Sequence, residues 1–288
     1  MGEIYEAVVL WETELGGYMD ENYSINKGDI IADATFKEGR VHFTLPFDPK
    51  PGNALIAVKD ANHDILWSWH IWVTDLDLDK TSARLNSGAV IMDRNLGALT
   101  TESYSYQSFG LYYQWGRKDP FTAHNYMYTA PYDAITYDYG DASVEASVKN
   151  PTIVYNDAQW DGNQDLWGVK KTMYDPCPAG WKVPVKEAFA NMATSSFDGC
   201  FEITSADRSV YFPYSGYSDG NNSYYGIYDY GDSWTSTHKF SMRFNRWGGY
   251  GEEYLDVDYI MPVRCMKDEE KPVTGDGNDL EVDDKYEW

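Results

Sequence analysis

The segment between Cys177 and Cys265 sets the tightest limit on what this chain folds into. Residues 211–230 read YFPYSGYSDGNNSYYGIYDY, a run of Tyr broken by Gly, Ser, Asn and Asp. Tyr supplies a large rigid contact area with a polar tip, and Gly, Ser and Asn supply adaptable loops. The segment is fenced by DPCPAGWKVP (residues 175–184) and PVRC (residues 262–265). An anchored frame around a wet aromatic insert points to binding rather than catalysis.

The charge narrows the partners. Asp and Glu number 46 against 23 Lys and Arg, for a formal net charge of −23. That field repels phosphate backbones and anionic lipid, so neither nucleic acid nor a membrane surface is expected as a partner. No segment approaches the length of a membrane-spanning helix, so no direct membrane insertion is expected. The acidity is not a disorder signature, because 16% of the residues are aromatic and a core is easily filled. A length of 288 residues suits one large domain or two ordinary ones. The opening MGEIYEAVVLWETELGG lacks a basic stretch and a long apolar run, so it does not read as a signal peptide.

The three cysteines show no C-x-x-C pair and no zinc-like spacing with His. Cys177 and Cys265 each sit in a Pro-containing, turn-like setting at the ends of one region, and a disulfide between them is expected; two buried thiols are the alternative. Cys200, in FDGCFEI, reads as an unpaired strand cysteine. The expected bridge and the aromatic surface favour an extracellular chain.

Along residues 1–82, EAVVLWETE, DIIADATFKEG and RVHFTLPF read as strands, and NALIAVKD and ILWSWHIWV as the arms of a hairpin turning at ANHD. Alternation puts Ile65, Trp67, Trp69, Ile71 and Val73 on one core face and Leu66, Ser68, His70 and Trp72 on the other. His70 reads as structural. DLDLDKTS, residues 75–82, is a polar break, and a second unit is expected over 83–267. Within it GAVIMDRNLGA is a strand and a turn, and residues 107–121 are a short helix or packed loop ending near Pro120. Residues 122–150 read as a long surface loop. VKEAFANMA, from Val185, is the clearest helix, with Val185, Phe189 and Met192 on one stripe. FDGCFEI, SVYFPYSG, SWTSTHKFSMRFN and VDYIMPVRCM read as short antiparallel strands. The acidic tail, residues 268–288, reads as flexible.

Six strings of the second unit occur in a telling order: MDRNLGA, FGLYYQWGRKDPF, DLWG, YDPCPAGWKVP, YFPYSGY and PVRCM. Together they resemble the Fibrobacter succinogenes major paralogous domain, over roughly residues 88–267. WSWHIWVTD looks like the segment that often precedes this domain in fimbrial and adhesin-like proteins. The resemblance implies an α+β, C-type-lectin-like domain with a short helix, small antiparallel sheets and long loops, preceded here by a β-sandwich-like module. It also implies a secreted, cell-surface or pilus-associated binding protein of the Bacteroidetes type. Retroelement-diversified binding proteins use a similar fold and vary residues near the C-terminal strands.

For chemistry, Asp161, Asn163 and Asp165 alternate oxygen side chains and are a calcium candidate, with Asn156 and Asp157 just upstream; a solvated turn is the bland alternative. Leu166 and Thr172 stand where an EF-hand needs Gly and Glu, and no sugar-binding Glu-Pro-Asn or Gln-Pro-Asp triplet is present. No other cofactor is expected. No nucleophile–base set, Walker loop or dinucleotide turn appears, so an enzyme is not expected. The binding candidates are Tyr217, Asp219, Asn221, Asn222, Tyr224, Tyr225, Tyr228, Asp232, Trp234, His238, Arg246, Trp247 and Tyr250. Alternation over SWTSTHKFSMRFN puts His238, Phe240, Met242 and Phe244 on a core side and Lys239, Ser241, Arg243 and Asn245 on the other. The expected ligand is a glycan or a host or bacterial surface protein. Rival readings are a pilus subunit packing against its neighbours and a carbohydrate-active enzyme.

Overall fold

Within residues 3–82 of the computed structural model, strands β1 (Glu6–Thr13), β4 (Gly52–Lys59) and β5 (Ile65–Val73) form one antiparallel sheet in the order β1-β4-β5. Strands β2 (Asp33–Lys37) and β3 (Arg40–Thr44) pair as a second. The structure describes residues 3–14, 25–122, 136–140, 142–156, 160, 166–197, 200–204, 208–220 and 224–269. The central strand, β4, is buried along nearly its whole length, which its near-continuous apolar run GNALIAV permits. Ile30, Ile31, Ala34, Ile56, Val58 and Ile71 fill the space between the two sheets. A buried carboxylate ties the loop down: Glu12 accepts from the N–H groups of Gly28, Ile30 and Ile31 at 2.6–2.9 Å.

The expected hairpin forms, and both faces of its second arm are covered. Trp67, Trp69 and Val73 line the N-terminal core. On the other face, His70 sits 2.9 Å from Asn53 Oδ1 and is pushed down to about 3 by burial, so it is neutral. Ser68 donates to Asp119 at 2.6 Å, and Lys118 donates to the Ser68 carbonyl at 3.0 Å. Trp11 and Leu55 join the large core of the following region. The N-terminal sheet is therefore packed against that region through buried polar and apolar contacts. Helix α1 (Leu78–Thr81), capped by Asp77, stands at the expected polar break.

The rest of the described chain is a set of small sheets. In order come β6 (Ala83–Arg84), β7 (Val90–Ile91), β8 (Tyr112–Gln114), β9 (Thr136–Asp138), helix α2 (Val144–Lys149), β10 (Ile153–Tyr155) and β11 (Trp181–Lys182). Then follow β12 (Ala193–Phe197), β13 (Cys200–Thr204), β14 (Ser209–Pro213), β15 (Tyr217–Ser218), β16 (Tyr224–Tyr225), β17 (Tyr230–Trp234), β18 (Phe240–Asn245), β19 (Tyr250–Tyr254), β20 (Ile260–Pro262) and β21 (Met266–Lys267). They pair as β11-β21-β7-β6, β12-β13-β14, β16-β15-β20-β8 and β17-β18-β19, all antiparallel, while β9 and β10 pair in parallel. Among the described residues the architecture is α+β and sheet-rich, with two short α-helices and no barrel. The large core gathers Trp115, Trp167, Trp181 and Trp234 with Tyr113 and Tyr155 around the Cys177–Cys265 disulfide, whose Cα atoms lie 5.9 Å apart.

Several sequence expectations need correction. The stretch from Val185 is not an α-helix: a single 3-10 turn spans Lys186–Phe189, and Ala190 is already extended. Its stripe is nonetheless real, since Phe189 and Met192 are buried in one core with Val185 against it. The burial is satisfied by one turn, and the chain must then reach β12, which pairs with β13. Residues 122–150 are not all surface loop. They contain β9 and α2, which starts at Ser143, whose hydroxyl accepts from the Ala146 N–H at 3.1 Å. Arg117 closes the other end by donating to the carbonyls of Ser147, Asn150, Pro151 and Ile153. Residues 107–121 open on a short 3-10 turn, Tyr106–Ser108, and go on to include β8, with Phe121 bridged back to Tyr112. At the C-terminus, Asp268 is held by Lys182 at 3.0 Å and donates its N–H to the Gly180 carbonyl, so the ordered frame reaches past residue 267; from residue 270 the tail lies outside the described residues.

Candidate functional site

The Tyr-rich insert folds as two small sheets joined by bridges at Gly216–Gly231 and Trp234–Val263. In the first, Tyr217 of β15 lies opposite Tyr225 of β16, and Ser218 lies opposite both Tyr224 and Ile260. In the second, Asp232 lies opposite Arg243. Gly216 makes the junction possible: its φ is +66°, and a Cβ there would meet the Tyr225 carbonyl oxygen at 2.3 Å.

Because neighbours on a strand face opposite ways, Tyr224 and Tyr225 part company. Tyr225 is 45% exposed and packs on Tyr217, with ring centroids 5.7 Å apart and planes 30° apart. Tyr217 stacks in turn on Tyr259 at 5.8 Å and 28°. The Tyr225 hydroxyl donates to Asp219 at 3.0 Å. Tyr224 turns to the other side, edge-on to Tyr112 at 5.9 Å, in a small cluster that also takes Tyr228 against Phe109 and Tyr106. Tyr228 does this from a left-handed backbone, φ +69°.

Arg243 joins the two sheets. Its guanidinium lies 4.7 Å from the Tyr217 ring centre and 5.0 Å from that of Tyr230. Its Nε donates to Asp232 at 2.8 Å, and its Nη1 lies 3.7 Å from Glu253. Asp232 is 1% exposed, and among the described residues its second oxygen has no hydrogen-bond partner. Burial therefore outweighs the Arg243 charge, and the Asp232 carboxyl is pushed up to about 6. Burial works against the Arg243 charge too, but Asp232, Glu253 and Tyr217 more than offset it and hold the guanidinium above its usual range. Beyond Tyr230 the row continues to Trp247, 69% exposed and edge-on at 5.9 Å, with Arg246 paired to Asp229 at 3.0 Å. Tyr250, 41% exposed, packs on Phe201 at 6.2 Å.

The structure thus sorts the expected binding residues. Tyr217, Asp219 and Tyr225 come together, and Arg246, Trp247 and Tyr250 lie further along the same two-sheet insert. Tyr224 and Tyr228 are half-buried on the other side of β15 and β16. Asp232 and Trp234 are not surface residues. Trp234 is fully buried and its indole N–H donates to the Tyr113 carbonyl at 2.8 Å, so it belongs to the frame. His238 is half-buried in the turn before β18, edge-on to Trp115 at 4.8 Å. Alternation holds for Met242 and Phe244, but Ser241 on the opposite side is also fully buried, because both faces of β18 are covered there. Asn221, Asn222, Asp161, Asn163 and Asp165 lie outside the described residues.

Sequence reasoning missed Arg243, Tyr230 and Tyr259 as members of the face. The signal for Arg243 was available, since alternation sets it opposite the core side of its strand. No family model, curated protein or solved structure matches this chain.

Proposed function

We propose that the chain is an extracellular recognition protein of adhesin type, displayed on a cell surface or pilus, whose second region is a C-type-lectin-like major paralogous domain. It binds a glycan or a surface protein through Tyr225 and Tyr259 packed on Tyr217, and through Arg243, Tyr230 and Trp247 beyond it, and it does so without catalysis. The observation that carries this reading is the Tyr225–Tyr217–Tyr259 stack with Tyr225 open to solvent. Flat rings that keep water on one side pay little side-chain entropy on binding and offer large contact area. Arg243 and its partners lock the middle ring from below, so the platform is preformed. The insert's Tyr, Asn, Asp and Ser composition suits retroelement-driven variation on such a platform. The test is binding of the full chain to a glycan array and a surface-protein array. Tyr225→Ala and Trp247→Ala, each with an unchanged circular dichroism spectrum, should abolish the best signals; signals that survive both substitutions would sink the proposed face.

A further inference from the structure

The sheet β17-β18-β19 ends differently on its two sides. β17 is closed by parallel bridges from Gly231 to Gly216 and from Trp234 to Val263. β19 pairs with β18 alone among the described residues. It is also the most open of the three strands, with Tyr250, Gly251, Glu252 and Tyr254 exposed.

The register fixes which backbone groups of β19 point outward. Asn245 donates its N–H to the Gly249 carbonyl, and Leu255 donates to that of Lys239, both at 2.9 Å. Bonded and unbonded pairs alternate along an antiparallel ladder. Between those two ends, Gly251 opposite Arg243 and Glu253 opposite Ser241 are therefore the bonded pairs. Tyr250, Glu252 and Tyr254 turn their N–H and C=O groups away from β18, and among the described residues those groups have no hydrogen-bond partner. An exposed row of outward donors and acceptors is a template for one more strand.

Side chains and charge select that strand. Tyr250 and Tyr254 share one face on either side of Glu252, 41% and 64% exposed. Cross-strand contact with such rings favours aromatic and β-branched residues. A second copy of β19, paired about its middle, would set Glu252 against Glu252 and bring a further charge of −23. A cationic strand meets an attractive field instead. We propose that the β19 edge is a docking site for an extended segment of another protein, aromatic or β-branched opposite Tyr250 and Tyr254 and carrying Lys or Arg. The site goes beyond the Tyr225 face and uses backbone rather than rings.

The experiment has two parts. Hydrogen exchange of the full chain, read by nuclear magnetic resonance, should show fast amides at Tyr250, Glu252 and Tyr254 and slow ones at Gly251 and Glu253. Outward amides already slow in the dilute chain, or slowing as its concentration rises, would mean that the chain itself or a second copy covers the edge, and either result overturns the proposal. The second part selects heptapeptides from a random phage-displayed library on the full chain. Enriched peptides should carry Lys or Arg among aromatic and β-branched residues, and should slow the amides of Tyr250, Glu252 and Tyr254. Glu252→Pro removes an outward N–H, which an edge strand tolerates. Glu252→Ala removes the same charge and keeps the N–H. With spectra unchanged, the Pro variant should weaken the enriched peptides by at least about tenfold and the Ala variant by less than about threefold. Should Glu252→Pro fail to fold, the peptide-induced slowing of the outward amides decides instead. No enrichment, enrichment without positive charge, outward amides left fast by bound peptide, or equal loss in the two variants overturns the proposal. Glycan-array signals of the ring face should survive Glu252→Pro, so edge and face stand or fall separately.

Discussion

Arg264 and Arg243 belong to the same region of sequence yet work in opposite surroundings. Arg264 is fully buried. It donates to Asn95 Oδ1 and to the Tyr211 carbonyl at 2.9 Å, lies 3.9 Å from the Phe212 ring centre, and is pulled down to about 9 by burial. Arg243 sits under the surface among two carboxylates and two Tyr rings. In the frame, neutral oxygens from distant strands converge on a guanidinium and hold the chain segments together. In the face, charged oxygens and rings hold a guanidinium while the outer rings stay in water. Residue type alone therefore does not separate structural from recognition chemistry here; the depth and the acceptor do.

This contrast breaks down in measurable ways. The disulfide should matter most: it closes 88 residues, and Cys265→Ser should cost about 4–5 kcal/mol in urea unfolding. Trp234→Ala should cost about 3–5 kcal/mol, because it empties a fully buried site and orphans the Tyr113 carbonyl. Arg264→Leu should cost about 3 kcal/mol or more, as buried acceptors at Asn95 and Tyr211 lose their donor. If any of these three leaves the unfolding midpoint in place, the frame is misassigned.

Asp232 offers a finer test. Its folded value of about 6 exceeds the ordinary 3.8, so between these the folded state binds more protons than the unfolded. Its contribution is therefore full below about pH 4 and declines as pH rises through about 6. Asp232→Asn should flatten that decline in a series of melts, and an unchanged pH slope would remove the shift. The smallest effect is expected at Trp247→Ala, under about 0.5 kcal/mol in stability, with ligand binding lost. A large destabilisation there would move Trp247 from the face to the frame.

Much of the frame could be read from the residues. The hairpin, the strands of the insert and the Cys177–Cys265 bridge follow from alternation, turn residues and paired Pro-rich settings. Helix α2 was missed because six residues behind a Ser cap carry too few apolar repeats to show a period. The helix expected from Val185 shrank to one turn because its apolar stripe was satisfied by Phe189 and Met192 alone. Trp suits binding as well as burial, and β17 is short enough that composition alone does not decide for Trp234.

By itself the sequence determined an acidic, aromatic, sheet-rich chain with an anchored Tyr-rich insert, because composition and period are local properties. The tertiary structure alone decided which of those rings reach water. Cross-strand pairing left Tyr225 rather than Tyr224 exposed, the bridge at Trp234 drew one Trp into the core, and the packing of two sheets set Arg243 between Tyr217 and Tyr230. Alternation separates Tyr224 from Tyr225 and sets Arg243 off the core side of its strand, but which side meets water and which rings flank the guanidinium depends on contacts between segments that no local pattern encodes.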